Sequence, residues 1–358
     1  MKKTVSFILV LGCISGVMSC KKETTTKQTG DVSASLTATD ASQLVSDSSK
    51  FGVLVADPTI STDGKITISN ELGVGCVRTS ICLDSYTGRS VIIEDYQNAG
   101  LKVLLNLNNK SASGGANPFP TDMVKYKASL ENVLDKYKPE VAVIENEPAN
   151  DGYYTGPIEN YFTELRTAID VCKARGIKVS DGALHIGMVL ICVYQDYVSQ
   201  GQQAKADDFA TRSGMSSSYI NTAKGKGSST LNAKLDKCKK MIAAYQTMAL
   251  DYVNFHWYEP MGLNASKSTA ATSAPGVAKE VADYLRKATG KNVLTNEFGQ
   301  TITTASLVAS QVDEFRKAGL SYAIDYSGTG GGNMQPQALQ KGTTLQPNGV
   351  SYRNQVAQ

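Results

Sequence analysis

Residues 141–183 read VAVIENEPANDGYYTGPIENYFTELRTAIDVCKARGIKVSDGA. An unbroken apolar run (Val141 to Ile144) gives way to a polar turn and then to an amphipathic stretch from Ile158 to Arg175. Gly176 stops that stretch, and a second Val/Ile-rich run follows from Lys178 to Ala183. Short runs rich in β-branched residues suit strands buried on both faces, and the apolar spacing between them suits a helix, so this segment predicts a β-α-β unit.

The pattern recurs outward in both directions. Eight such runs occur: Phe51 to Val55, Gly75 to Ile81, Lys102 to Leu107, Val141 to Ile144, Lys178 to Ala183, Tyr252 to His256, Asn292 to Thr295 and Ser321 to Asp325. Helices are predicted between them at Asp122 to Lys138, Ile158 to Arg175, Leu231 to Leu250, Val277 to Thr289 and Ala305 to Lys317. Gly176, Gly290 and Gly319 stand where a helix must stop before the next strand. Eight βα units favour a closed (β/α)8 TIM barrel over an open doubly wound sheet, and no GxGxxG follows the first run. The run Gly328 to Gly332 lacks a following GK[ST] signature and reads as a loop after the eighth strand. The segment His185 to Thr230 is far longer than an ordinary βα loop and is expected to wall a substrate cleft.

The chain of 358 residues opens with Met1-Lys2-Lys3, an apolar stretch, and Val17-Met18-Ser19-Cys20. This resembles a bacterial lipoprotein signal, which implies a leader over 1–19, lipidation of Cys20, and attachment to the membrane of the cell envelope, the outer membrane being expected. Residues 20–47 are rich in Thr, Ser, Lys and Asp and predict a flexible tether, leaving 48–358 as one catalytic domain. The apolar run Val5 to Met18 is too short for an ordinary membrane span. The formal charge of +3, which falls to +1 without Lys2 and Lys3, gives no sign of a nucleic-acid partner. A monomer is expected. Five cysteines follow Cys20. Cys76, Cys82 and Cys172 read as core residues, while Cys192 and Cys238 either pair as a disulfide or stay reduced. With no CxxC pair and only two histidines, His185 and His256, neither a zinc site nor a Ser-His-Asp triad is indicated; no cofactor or metal is expected, and only a structural Ca²⁺ stays open.

Two Asn-Glu pairs close predicted strands. Glu145-Asn146-Glu147-Pro148 ends the fourth and Asn296-Glu297-Phe298-Gly299 ends the seventh, both at the C-terminal rim where barrel enzymes do their chemistry. Two carboxylates aimed into one mouth suit glycoside hydrolysis, one protonated to protonate the leaving oxygen and one ionised to attack or to activate water. Together with Phe255-His256-Trp257-Tyr258 on the sixth strand, these motifs resemble clan A of the glycoside hydrolases, retaining (β/α)8 enzymes. The resemblance spans about residue 50 to the C-terminus. It implies Glu147 as acid/base, Glu297 as nucleophile, Asn146 on the sugar 2-hydroxyl, Tyr258 bonded to the nucleophile, His256 facing the cleft, and Arg78 keeping the nucleophile ionised. Asn106, Asn108, Asp84 and Asp181 are candidate hydroxyl ligands, each equally readable as a cap or turn residue.

The sequence departs from the clan at two points. Glu145 stands where many relatives carry Trp, and Tyr326 or its neighbours occupy the place of a platform Trp. Trp257, the only tryptophan, is a candidate substrate contact; the stacking platform comes from tyrosines such as Tyr86, Tyr153, Tyr154, Tyr258 and Tyr326, or the cleft is unusually polar. The expected function is a lipid-anchored retaining glycosidase acting on β-linked polysaccharide or oligosaccharide. The alternative is a glycan-binding lipoprotein on a degenerate barrel, which loss of either Glu would favour. The lipid anchor has a direct check: Cys20→Ala should move the protein from the membrane to the soluble fraction, and equal membrane recovery of both proteins would contradict it.

Overall fold

The computed structural model describes residues 50–110, 116–259, 272–301, 304–329 and 338–358. The leader, Cys20, the tether and Gly330 to Gly332 lie outside the described residues. Eight parallel strands form the barrel: β1 (Phe51–Val55), β2 (Cys76–Cys82), β3 (Lys102–Asn108), β4 (Val141–Ile144), β5 (Lys178–Asp181), β6 (Tyr252–Glu259), β7 (Asn292–Gln300) and β8 (Ala323–Ser327). Each pairs with the next in chain order, and β8 pairs with β1, which closes the sheet on itself. The (β/α)8 barrel expected from the sequence is therefore the fold.

Helices follow in the order α1 (Thr62–Leu72), α2 (Val91–Asn98), α3 (Met123–Tyr137), α4 (Ile158–Lys173), α5 (Ile186–Ser199), α6 (Gln203–Arg212), α7 (Ser217–Ala223), α8 (Ser229–Thr247), α9 (Val277–Thr289), α10 (Ala305–Lys317) and α11 (Pro347–Val356). Local sequence explains their ends. Asp122 caps α3 by accepting from Lys125 N–H at 3.0 Å, and Gly290 ends α9 in the left-handed region at φ 71°. The long segment after β5 is not loop but three helices, α5 to α7. Residues Ile186 to Tyr194 of α5 are all buried, so their unbroken apolar run hides the helical period that an amphipathic helix would display.

Two apolar layers hold the barrel. Side chains facing outward from the strands, such as Val103, Leu105 and Leu107, pack under the helices, while Cys76, Leu104, Val141, Val143, Leu294 and Ile324 plug the barrel's lower interior. This follows from the period of two along a strand, which sends alternate residues to opposite faces. It also decides the place of the lone tryptophan. On β6, Val253, Phe255 and Trp257 face the helices, leaving Asn254, His256 and Tyr258 to the interior. Trp257 is wholly buried and packs edge-on against Phe255 and Phe315. It is a core residue, which corrects the expectation that it contacts substrate.

Candidate active site

Above the apolar plug the barrel interior turns polar. Arg78 on β2, Asn106 on β3, Asn254 and His256 on β6 and Asn296 on β7 are all buried there. On β7 the ladder slips: Leu294 faces Asn254, yet Glu297 faces His256, three residues against two, and the same slip occurs against β8. This bulge inserts one residue, so that the consecutive Asn296 and Glu297 both reach the interior side chains, which a regular strand forbids.

At the end of β4 the backbone takes a different device. Glu145 and Glu147 have φ of 64° and 48°, a left-handed conformation that costs non-glycine residues free energy and persists only when the surroundings enforce it. Three consecutive amides are pinned: Glu145 N–H to Leu107 O (3.0 Å), Asn146 N–H to Tyr154 Oη (3.1 Å) and Glu147 N–H to Gly182 O (2.6 Å). Gly182 must be glycine, because a Cβ there would lie 2.5 Å from Ile144 O.

These devices bring the two glutamates together. His256 Nδ1 lies 2.8 Å from Glu147 Oε1 and 3.8 Å from Glu297 Oε1, so the two oxygens are no more than about 6.6 Å apart. Glu297 also receives bonds from Arg78 and, at 2.7 Å, from Tyr258 Oη. Arg78 reaches Asn146 Oδ1 (2.8 Å) with its other nitrogen. Burial opposes ionisation of Glu297, but the charges of His256 and Arg78 and the Tyr258 bond outweigh it and hold the carboxyl below the usual range. Burial likewise opposes ionisation of Glu147. The His256 bond and charge and a 2.8 Å bond from Asn150 Nδ2 prevail, bringing it to about 2. His256 is raised, because the two glutamates together overcome its burial.

Both carboxyls are thus held toward the ionised form, whereas the sequence reading expects one of them to stay protonated. The proton is shared, and the asparagine chain says how. Asn296 N–H donates to Asn254 Oδ1 (3.0 Å), which turns Asn254 Nδ2 toward Asn296 Oδ1 (2.7 Å). Asn296 Oδ1 thus accepts, and His256 Nε2, 3.0 Å away, must donate. That leaves a single proton for the contact between His256 Nδ1 and Glu147 Oε1, and the lowered Glu147 and raised His256 favour its lying on the histidine.

Two cavities flank the pair. One is lined by Arg78, Asn106, Asn108, Asn146 and Tyr153; the other borders Glu147 and is walled by the start of α5 and by α8. The segment after β5 therefore walls a cavity beside Glu147. Tyr326 stands at the rim, 6.5 Å from the Tyr258 ring. Three sequence candidates are committed elsewhere. Asp181 is buried, accepting from Asn254 N–H at 2.7 Å and Ala183 N–H at 3.1 Å, with burial pushing it up to about 7. Tyr86 bonds Tyr137 on α3, and Tyr154 bonds Glu145 and stacks on Phe119. Asp84 lies in a separate groove with Asp122 and Lys125. Cys192 and Cys238 lie in contact as thiols and do not form a disulfide; Cys76, Cys82 and Cys172 likewise form no disulfide among the described residues. Sequence reading missed Asn254 and Asn150; the signal for Asn254 was its place two residues before His256, on the same strand face.

No protein-family model matches the chain, and no curated protein matches its sequence. Among solved structures it is similar to beta-glycosidase BGL167, with a TM-score of 0.54 at 11% identity over 88% of this chain and 97% of that one. It is similar also to the cellulase of a cellulase-inhibitor complex, with a TM-score of 0.55 at 11% identity over 86% and 92%. A third is a Bacteroidetes-affiliated GH5 cellulase linked with a polysaccharide utilization locus, with a TM-score of 0.50 at 11% identity over 88% and 92%. At this identity the likeness establishes the barrel fold.

Behind β4 lies a second acidic pair that sequence reading did not find. Glu145 points away from the mouth, taking bonds from Asn109 N–H (2.7 Å) and Tyr154 Oη, and it faces Glu164 of α4. Glu164 is fully buried, and its oxygens meet no well-formed donor. Burial first, and then the Glu145 charge, push its carboxyl well above the usual range. The native state then binds more protons than the unfolded chain above the ordinary carboxylate range, so stability falls as pH rises. Glutamine mimics the protonated acid. Glu164→Gln should raise the thermal midpoint by a few degrees at pH 8, the gain vanishing near pH 4; an equal or lower midpoint at pH 8 would show that Glu164 carries no such penalty.

Proposed function

We propose that this chain is a retaining glycoside hydrolase that cleaves β-linked glycans or oligosaccharides, with Glu297 as nucleophile and Glu147 as acid/base, exported as a lipoprotein anchored through Cys20. The observation that carries the reading is the pairing of Glu147 and Glu297 through His256, with their nearer oxygens within about 6.6 Å. That bound brings both carboxyls to one bond; about 5–5.5 Å between them suits double displacement and about 6.5–9.5 Å an inverting enzyme, and the retaining assignment follows the resemblance to clan A. The glycosidase and cellulase descriptions of the three similar structures support the same chemistry.

In the first step Glu297, kept ionised by Arg78 and Tyr258, attacks the anomeric carbon. The bond to the leaving oxygen breaks, and that oxygen takes the proton held between His256 and Glu147. Substrate that excludes water from the cleft disfavours the separated charges of the pair, which moves the proton onto Glu147. After departure of the leaving group the pair lacks its proton, so Glu147 is a base for the water that frees the sugar from Glu297. Asn146, held by Arg78 at 2.8 Å, faces the polar cavity, where Asn108 and Tyr153 also offer hydroxyl partners; Asn106 is buried beneath them, its amide hydrogens donated to Asn108 Oδ1 and Glu145 O and its oxygen accepting from Arg78 and Asn296. The presence of both carboxylates, each with its own charge environment, argues against a binding-only role.

The two glutamates should fail differently. Glu297→Ala should abolish turnover of aryl β-glycosides, with azide restoring it as an inverted glycosyl azide. Glu147→Ala should spare substrates with good leaving groups, which need little protonation, and azide should accelerate its second step. Normal turnover by Glu297→Ala would refute the assignment.

A further inference from the structure

The cavity beside Glu147 has a chemistry that the catalytic pair does not explain. We propose that it is the leaving-group site and that it selects a sugar bearing an anionic substituent, a carboxylate or a sulfate ester; this rests on the glycosidase reading above. Its position follows from the mechanism. Glu147 and Asn150 form one wall, Glu297 is not part of the lining, and the group that protonates the leaving oxygen must stand beside the departing sugar.

Its charge comes from Lys234 on α8. This lysine is half-buried against the cavity and makes no salt bridge or hydrogen bond among the described residues. The only carboxylate in the lining is Glu147, which already shares its charge with His256. A half-buried ammonium without a counter-ion is a site for an anion. Beside it His185 Nδ1 accepts from Gly187 N–H at 3.1 Å, so the imidazole proton sits on Nε2, a donor with no protein partner among the described residues. His185 is exposed at the cavity, and that proton supplies direction where Lys234 supplies charge. Leu184, Met188 and Leu231 complete the wall and offer an apolar surface to a sugar face. The opposite cavity differs in degree: its buried cation Arg78 is already paired with Glu297 and its second, Lys110, is exposed to solvent, so its inner wall offers mainly amide groups to neutral hydroxyls.

Ligand-observed NMR titration of the full-length protein with glucose, glucuronate and glucose 6-sulfate tests this at low and at high salt. At least one anion should bind tenfold or more tightly than glucose at low salt, and the tighter one identifies the substituent. Lys234→Met should abolish the excess, and Lys234→Arg should keep it, which separates lost charge from lost fold. Anions that bind no tighter than glucose, or a preference that survives Lys234→Met or disappears in Lys234→Arg, would overturn the inference. Aryl β-glycoside turnover, measured in parallel, separates the two levels. Turnover without anion preference removes this site alone, whereas anion preference with no turnover of any glycoside removes the glycosidase reading and the leaving-group role with it.

Discussion

The guanidinium of Arg78 is the contact on which the rest of the site depends. One buried cation reaches four strand ends: Glu297 and Asn296 O on β7 (3.2 Å to the latter), Asn146 after β4 (2.8 Å), Asn106 on β3 (3.4 Å), and its own β2. A charge in that position is expensive to remove from water and is tolerable only with an ionised partner and full hydrogen bonding. Glu297 is that partner, so in the proposed mechanism the need to compensate Arg78 and the need for an ionised nucleophile are met by one ion pair. It also explains why the barrel interior changes character along its axis, from Leu104, Val143 and Leu294 below to amides and charges above.

The second half of the site is organised around a proton. Both glutamates are driven toward ionisation, so the difference in role proposed for them does not rest on one carboxyl being buried and neutral, as in many acid/base pairs. It comes from the partners: Arg78 carries a permanent charge, whereas His256 carries one that it can give up. The amide chain from Asn254 through Asn296 fixes the imidazole so that only Nδ1 is free to exchange with Glu147.

Much of this was legible in the sequence because strand periodicity is short-range physics. The eight apolar runs and helix stops led to the barrel, and two Asn-Glu pairs at strand ends drew attention to Glu147 and Glu297. The same alternation that turns His256 and Tyr258 inward turns Trp257 outward into the core, a placement that the strand period already carries in the sequence. Other features depend on tertiary context. The β7 bulge that lets Asn296 and Glu297 share one face leaves no local signature, nor do the left-handed conformations of Glu145 and Glu147, which exist because Leu107, Tyr154 and Gly182 hold the adjacent amides. The start of the helical segment after β5 was hidden because Ile186 to Tyr194 of α5 are buried and apolar without a polar face, and the Glu145–Glu164 pair joins residues on different elements.

The central claim is that two glutamates so placed carry out a double displacement. Proton NMR of the anomeric centre, recorded from the first moments of hydrolysis of a β-glycoside by the unmodified enzyme, tests it most directly. The account predicts that the β-anomer appears first and mutarotates afterwards; initial release of the α-anomer would mean single displacement by water and would contradict it.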